Sequence, residues 1–292
     1  MSLHVRNEGR GIRPHLTAYP RAMLSDDDDR ARCRSSVVRP HWAPLFFSLT
    51  LCACEAAHPP ARNCDLTRTP ARSANVGPSS RSSDDPLAEI AARRASFHEG
   101  LSSAQSDAAR HGVVREAAHY LEEALIDVVL PRWDGTPWAF SGTSTTPRTG
   151  SIACGYFVTT ALEEAGLRVE RRRLAQQASE IIVTSLVPPE AIERFSNVPV
   201  EDFTARVAKK GRGLYVVGLD NHVGFLIVRS GKVLFHHSSY VGPIAVVREE
   251  ATASSPLRDS KYRVVGKLFT DDALVEAWIR GAPVPTKARA QR

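Results

Sequence analysis

Cysteine is scarce where this chain reads as folded. Of its five cysteines, Cys33, Cys52, Cys54 and Cys64 fall in the first quarter, and Cys154 stands alone in the remainder. No cysteine pairs with histidines at zinc-ligand spacing, so neither a metal nor another cofactor is expected. Also missing are an arginine-rich helix interleaved with aromatics, a zinc-finger pattern and an RNA-recognition signature. Specific nucleic-acid binding is therefore not expected, despite a net charge of +6. The basic excess is scattered through the N-terminal third and both tails, and suits an anionic cell wall or membrane surface. With 292 residues, 42% hydrophobic and 24% charged, the chain has an ordinary globular composition and room for one good-sized domain plus extensions. A lone cysteine in such a domain is a nucleophile or a small buried hydrophobe. Its neighbours must decide.

Residues 1–36 lack apolar periodicity and carry an acidic run at Asp26–Asp29. They read as a disordered leader, or as sequence preceding a true start at Val37 or Val38. Residues 37–54 then combine a short basic start with an apolar run too short to span a bilayer. Their end, Leu51-Cys52-Ala53-Cys54, resembles the bacterial lipoprotein signal, although Cys52 is an unusual residue at its position. The resemblance implies lipidation of Cys54 and a membrane-anchored protein on the periplasmic side of the cell envelope. Residues 55–84, rich in Ala, Pro, Arg, Ser and Asp, read as a flexible linker. The folded domain is expected over 85–280, and 281–292 as a basic tail.

Asp85-Pro86 is a helix start, with Asp as cap and Pro at the first position. A second helix follows from Val113/Val114, Ala117, Leu121, Leu125 and Val128 at three- and four-residue steps. His111 and His119 belong to it and are assigned no chemistry. Residues 133–150 are rich in Gly, Thr, Ser and Pro and read as loop. Directly after them, Cys154-Gly155 opens a helix that runs to Gly166. Unpaired N–H groups and the positive dipole end favour thiolate at such a place, so a lowered thiol pKa is expected. Gly155 would leave a substrate room to approach the sulfur.

Residues 213–219, 222–228 and 233–240 read as strands, the last two joined by a turn at Ser230-Gly231. Histidine is an odd residue to open a buried strand, and His222 does so. A two-residue turn sets Arg229 opposite Lys232, His222 opposite Ser239 and Gly224 opposite His237. His222 and His237 then share one face of the sheet, while His236 points to the other. Residues 170–186, 189–195 and 200–209 read as helical, with Arg171-Arg172-Arg173 on a solvated face. A strand over 262–269 and a helix over 271–280, capped by Asp271 and stopped by Gly281, complete the expected domain.

Trp138-Ala139-Phe140-Ser141-Gly142-Thr143, Cys154-Gly155, His222-Val223-Gly224 and Phe235-His236-His237-Ser238 together resemble the NlpC-type cell-wall peptidases. The likeness covers about a third of the chain. Ala153 replaces the acidic residue usual in that family before the cysteine, and the 170–212 insert is long. The resemblance implies an α+β fold of papain-like, NlpC-like type, with a nucleophile helix packed on a mostly antiparallel sheet. It implies a cysteine hydrolase in which Cys154 attacks a carbonyl, His222 shuttles the proton and His237 orients His222. The Cys154 N–H would hold the oxyanion, and Trp138, where the family often has tyrosine, would line the cleft. Peptidoglycan stem peptides are the implied substrate. An inactive envelope-binding relative and a secreted amidase or acyl-transferring effector are the alternatives.

Overall fold

The computed structural model describes residues 85–287. The leader (1–36), the signal with Cys54 (37–54), the linker (55–84) and residues 288–292 lie outside the described residues. The chain enters α1 (Pro86–Ser103) under an Asp85 cap, whose carboxylate accepts from Leu87 N–H at 3.0 Å. Helix α2 (Asp107–Ala124) passes through a π-helical turn, Leu125–Val129, into the short α3 (Leu130–Arg132). A long loop then leads to α4 (Cys154–Glu164), β1 (Arg168–Val169), α5 (Arg171–Ala175) and α6 (Ser179–Leu186). After these come β2 (Ile192–Ser196), α7 (Val200–Lys209), β3 (Gly213–Leu219), β4 (Val223–Arg229) and β5 (Lys232–Ser238). The last elements are β6 (Val246–Glu250), α8 (Ser255–Asp259), β7 (Tyr262–Lys267), α9 (Asp272–Arg280) and β8 (Pro283–Val284).

Six strands form one antiparallel sheet in the order β2-β7-β3-β4-β5-β6, and β1 and β8 form a separate parallel pair. The fold is thus α+β. Side-chain alternation gives the large sheet two buried faces. Leu214, Val216, Val223, Phe225 and Ile227 pack with Leu121, Leu125, Phe157 and Trp278 of the helical layer. Tyr215, Val217, Leu226 and Val228 pack on the opposite side with Phe203 and Val207 of α7 and Leu257 of α8. Covering both faces explains why β3 and β4 read as continuous apolar runs.

The β4–β5 hairpin turns at Ser230 and Gly231, both left-handed (φ 50° and 76°), with Arg229 paired to Lys232. Two such residues define a type I′ turn, whose twist matches that of the strands. Arg229 fastens this hairpin to the helical layer. Its guanidinium donates to both Asp127 oxygens at 2.7 Å and to Glu123 at 2.6 Å.

Several expectations are corrected. Residues 189–195 are not helical: Pro189–Ala191 is a single 3₁₀ turn, and Ile192–Ser196 pairs with β7 as an edge strand. Pro188 and Pro189 supply no N–H for a helix, and the extended chain buries Phe195. The helix expected over 170–186 breaks between α5 and α6. Strand β6 and helix α8 were not anticipated. The basic tail is not free at its start: β8 pairs with β1 and Val284 is buried. Beyond it, Thr286 N–H donates to Glu170 at 3.0 Å and Lys287 N–H to Ser185 Oγ at 2.9 Å. Ending the chain at Gly281 is therefore expected to cost about 2 kcal/mol, from one buried valine and two hydrogen bonds. Urea unfolding measures it, and an unchanged midpoint would restore the reading as a tail.

Candidate active site

The turn between β3 and β4 carries His222, and the surrounding chain holds that turn firmly. Leu219 N–H donates to His222 C=O at 2.8 Å. The Asp220 carboxylate accepts from Lys261 N–H at 2.7 Å, Ser260 Oγ at 3.0 Å and Tyr262 N–H at 3.3 Å. His222 therefore opens β4 from a turn anchored to the start of β7, and it is buried.

Phe225 pairs with His236, and one step further Gly224 lies opposite His237. A Cβ on Gly224 would stand 2.8 Å from the His237 Cβ and 2.7 Å from the Phe235 ring, so only glycine fits. In the space it leaves, His222 Nε2 meets His237 Nδ1 at 2.8 Å, the two rings nearly perpendicular at 88°. His237 Nε2 in turn lies 3.1 Å from Glu249 Oε1 on β6. His236 points the other way. It packs at 5.4 Å on Phe157 of α4, with Nε2 2.8 Å from Asp134 Oδ1.

This chain of contacts fixes the tautomers. An ionised carboxylate only accepts, so His237 Nε2 carries the hydrogen donated to Glu249. Its Nδ1 lone pair then accepts from His222 Nε2–H. The bare nitrogen of His222 is Nδ1, which is buried and has no hydrogen-bond partner. That nitrogen makes no hydrogen bond to Cys154 Sγ or to any other group among the described residues.

Cys154 is the first residue of α4, and Ala153 before it offers no capping side chain. The first-turn N–H groups are thus available to an anion. Helix α4 packs against β4 and β5, and Ser238 Oγ donates to Ile152 C=O at 2.7 Å, tying the end of β5 beside the cysteine. Backbone N–H groups of Val223, Gly155 and Cys154 itself act on the sulfur. Val223 directly follows His222, so the thiol sits against the backbone next to that histidine, while the His222 ring lies with Phe235, His237 and Tyr240.

The expected lowering of the thiol pKa is overturned. Burial pushes Cys154 up, and the backbone N–H groups offset only part of that rise. His222 is held well below the usual imidazole value, first by burial and then by repulsion from His237. Burial also lowers His237, while Glu249 pulls it back up. Glu249 is itself held below the ordinary carboxylate value, mainly by its bond to His237. At neutral pH the resting pair is therefore thiol and neutral imidazole. The helix dipole is present, but desolvation outweighs it.

Two further site assignments change. Gly155 is buried, and a Cβ there would lie 2.3 Å from Ala175 C=O. It serves close packing of α4 on α5, and is not shown to open a path to the sulfur. Arg171 leaves its expected solvated face: Nε donates to Thr160 at 2.6 Å, and Nη2 to the carbonyls of Thr143 and Ser144 at 2.9 and 2.8 Å. It clamps the loop before Cys154 onto α4. Trp138 is partly buried, 6.1 Å from the Tyr240 ring, which is 5.2 Å from His222. Trp138 is thus part of a row of rings leading to His222. Sequence reasoning missed Tyr240 and Glu249. Reading 246–250 as the next strand would have placed Glu249 opposite Phe235, on the face of His237.

No protein-family model, curated protein or solved structure matches this chain.

Gly155→Ala is expected to destabilise the domain by about 1–3 kcal/mol through overpacking, seen as a lower denaturant midpoint. A stable variant with impaired chemistry would instead place Gly155 in substrate approach. The sign of the Cys154 shift sets a second test. A raised pKa reduces thiolate at neutral pH, so the alkylation rate should keep rising with pH past about 8.5, the ordinary thiol midpoint. A midpoint below that value would mean a preformed thiolate–imidazolium pair.

Proposed function

We propose that this protein is a cysteine hydrolase of amide bonds, a peptidase or amidase built on a papain-like, NlpC-like plan. One observation supports the reading: a buried histidine, with Nε2 held by a second histidine and Nδ1 without a hydrogen-bond partner, directly precedes Val223, whose backbone N–H acts on the Cys154 sulfur. In the reaction, His222 Nδ1 takes the Cys154 proton as the sulfur attacks the carbonyl. The first-turn N–H groups of α4 receive the developing oxyanion. His222 then returns the proton to the leaving amine, and the same base activates water to hydrolyse the thioester. His237 holds His222 in its tautomer, and Glu249 supports the positive charge that forms on the pair.

A neutral resting pair suits this sequence of steps, because proton transfer accompanies attack. The substrate would be a cell-wall peptide or another envelope molecule, reached by a protein anchored through lipidated Cys54. That location rests on the 51–54 sequence alone.

Hydrolysis of amide substrates by the full chain and its variants tests the proposal. Cys154→Ala should abolish turnover and leave the fold intact, as read by circular dichroism. His222→Ala should lose about 10²–10⁴-fold. His237→Ala should lose at least tenfold more activity than His236→Ala. Equal losses would mean that His237 only packs. Undiminished hydrolysis by Cys154→Ala would end the cysteine-nucleophile reading, and no hydrolysis by the unmodified chain would favour an envelope-binding protein.

A further inference from the structure

Resting on that hydrolase reading, we infer that the mouth of the site is an uncharged apolar subsite, taking an apolar side chain of a peptide substrate next to the scissile carbonyl. Among the described residues the exposed large hydrophobics are Phe140 (90%), Ile244 (58%) and Val241 (37%). Phe140 lies on the loop that leads into Cys154, and Val241 and Ile244 on the loop that follows His237. Exposed apolar groups scattered singly need no explanation, but a cluster at a cleft marks a binding surface.

The backbone ties these loops to the site. Phe140 stands in the tight turn that Gly142 N–H closes on Ala139 C=O at 2.9 Å, and Gly142 C=O accepts from Ala153 N–H at 2.9 Å. The turn is thus bonded to the residue before the nucleophile. A Cβ on Gly142 would stand 2.6 Å from Ile152 N, so glycine permits this approach. On the other side, Trp138 N–H donates to Ile244 C=O at 3.0 Å, and Pro137 bridges Ala245. The rings of Trp138, Tyr240 and His222 follow one another at 6.1 and 5.2 Å. An apolar surface therefore runs from the base to the exposed rim.

Charge sharpens the assignment. Residues 135–147 and 238–247 contain no Asp, Glu, Lys or Arg, in a chain where those residues make up 24%. The guanidinium of Arg171, which reaches the first loop from behind, is spent on Thr160, Thr143 and Ser144. The charges of the first loop stand at its two ends, where Arg148 Nε donates to the Asp134 carbonyl at 3.1 Å; between them, an ionised substrate group beside Phe140 or Ile244 would lose water without a partner. An apolar side chain loses nothing and gains contact with Phe140, Ile244 and the row of rings.

Peptidyl acyloxymethyl ketones with Leu, Phe, Glu or Lys next to the reactive group, applied to the full chain, test this. Labelling of Cys154 is followed by mass spectrometry and divided by the iodoacetamide rate of the same protein. The Leu and Phe probes should react about tenfold or more faster than the Glu and Lys probes. The double variant Phe140→Ser, Ile244→Ser should reduce that ratio to about twofold. Equal labelling by all four probes overturns this inference and leaves the hydrolase reading standing, as does a ratio that the double variant does not change. An octanoyl ketone faster than the Leu probe assigns the rim to a lipid acyl chain and overturns the peptide assignment. Failure of every ketone to label Cys154 sinks the hydrolase reading and this inference together.

Discussion

The register of the β4–β5 hairpin is the constraint on which the site depends. Ser230 and Gly231 adopt the left-handed conformations of a type I′ turn, which sets Arg229 against Lys232 and every later pair in step. Seven residues back from Arg229 is His222, and five residues on from Lys232 is His237. Only this register places the two imidazoles on one face as diagonal neighbours. A slip of one residue would exchange His237 for His236 and turn the relay into the opposite core. Arg229, held by Asp127 and Glu123, keeps the far end of the hairpin from sliding against the helices. The Asp220 carboxylate does the same at the His222 end.

Electrostatics then decide the state in which the pair rests. A helix N-terminus contributes on the order of 1 kcal/mol toward an anion, about one pKa unit or less. Desolvation of a buried ionisable group can amount to several units. Here burial acts on thiol and imidazole alike, raising one and lowering the other, so both move away from the ion pair. Glu249 opposes the trend on His237 without reversing it. The consequence is a site that rests uncharged, so that in the proposed mechanism charge would appear only as the reaction proceeds.

The strands that carry the candidate site were legible because their signals are local. A Ser-Gly turn between apolar runs, a histidine opening a buried strand and a cysteine opening a helix each follow from neighbouring residues. The helices with cap residues, Asp85 and Asp271, were legible for the same reason. What escaped depends on partners far along the chain. Ile192–Ser196 is a strand because β7 presents an edge to it, and Gly155 is glycine because Ala175 C=O lies against it. Glu249 enters the relay only through the pairing of β6 with β5. The thiol pKa was misjudged because a dipole can be read from sequence, whereas burial has to be seen.

The adjacent histidines show how one strand divides two tasks. Successive side chains on β5 face opposite layers, so His236 and His237 enter separate cores, although both are buried. His236 meets Phe157 of α4, and its Nε2 lies 2.8 Å from the Asp134 carboxylate, while its Nδ1 has no partner. His237 is bonded at both nitrogens, to His222 and to Glu249. Since a neutral imidazole has one donor and one acceptor, both ends of His237 are satisfied and its tautomer is fixed. The same reasoning leaves one unsatisfied nitrogen in the relay, His222 Nδ1. A buried lone pair without a partner is costly to maintain. Its cost falls once a proton arrives, and in the proposed mechanism that proton would come from the Cys154 thiol, on which the N–H of the residue after His222 acts.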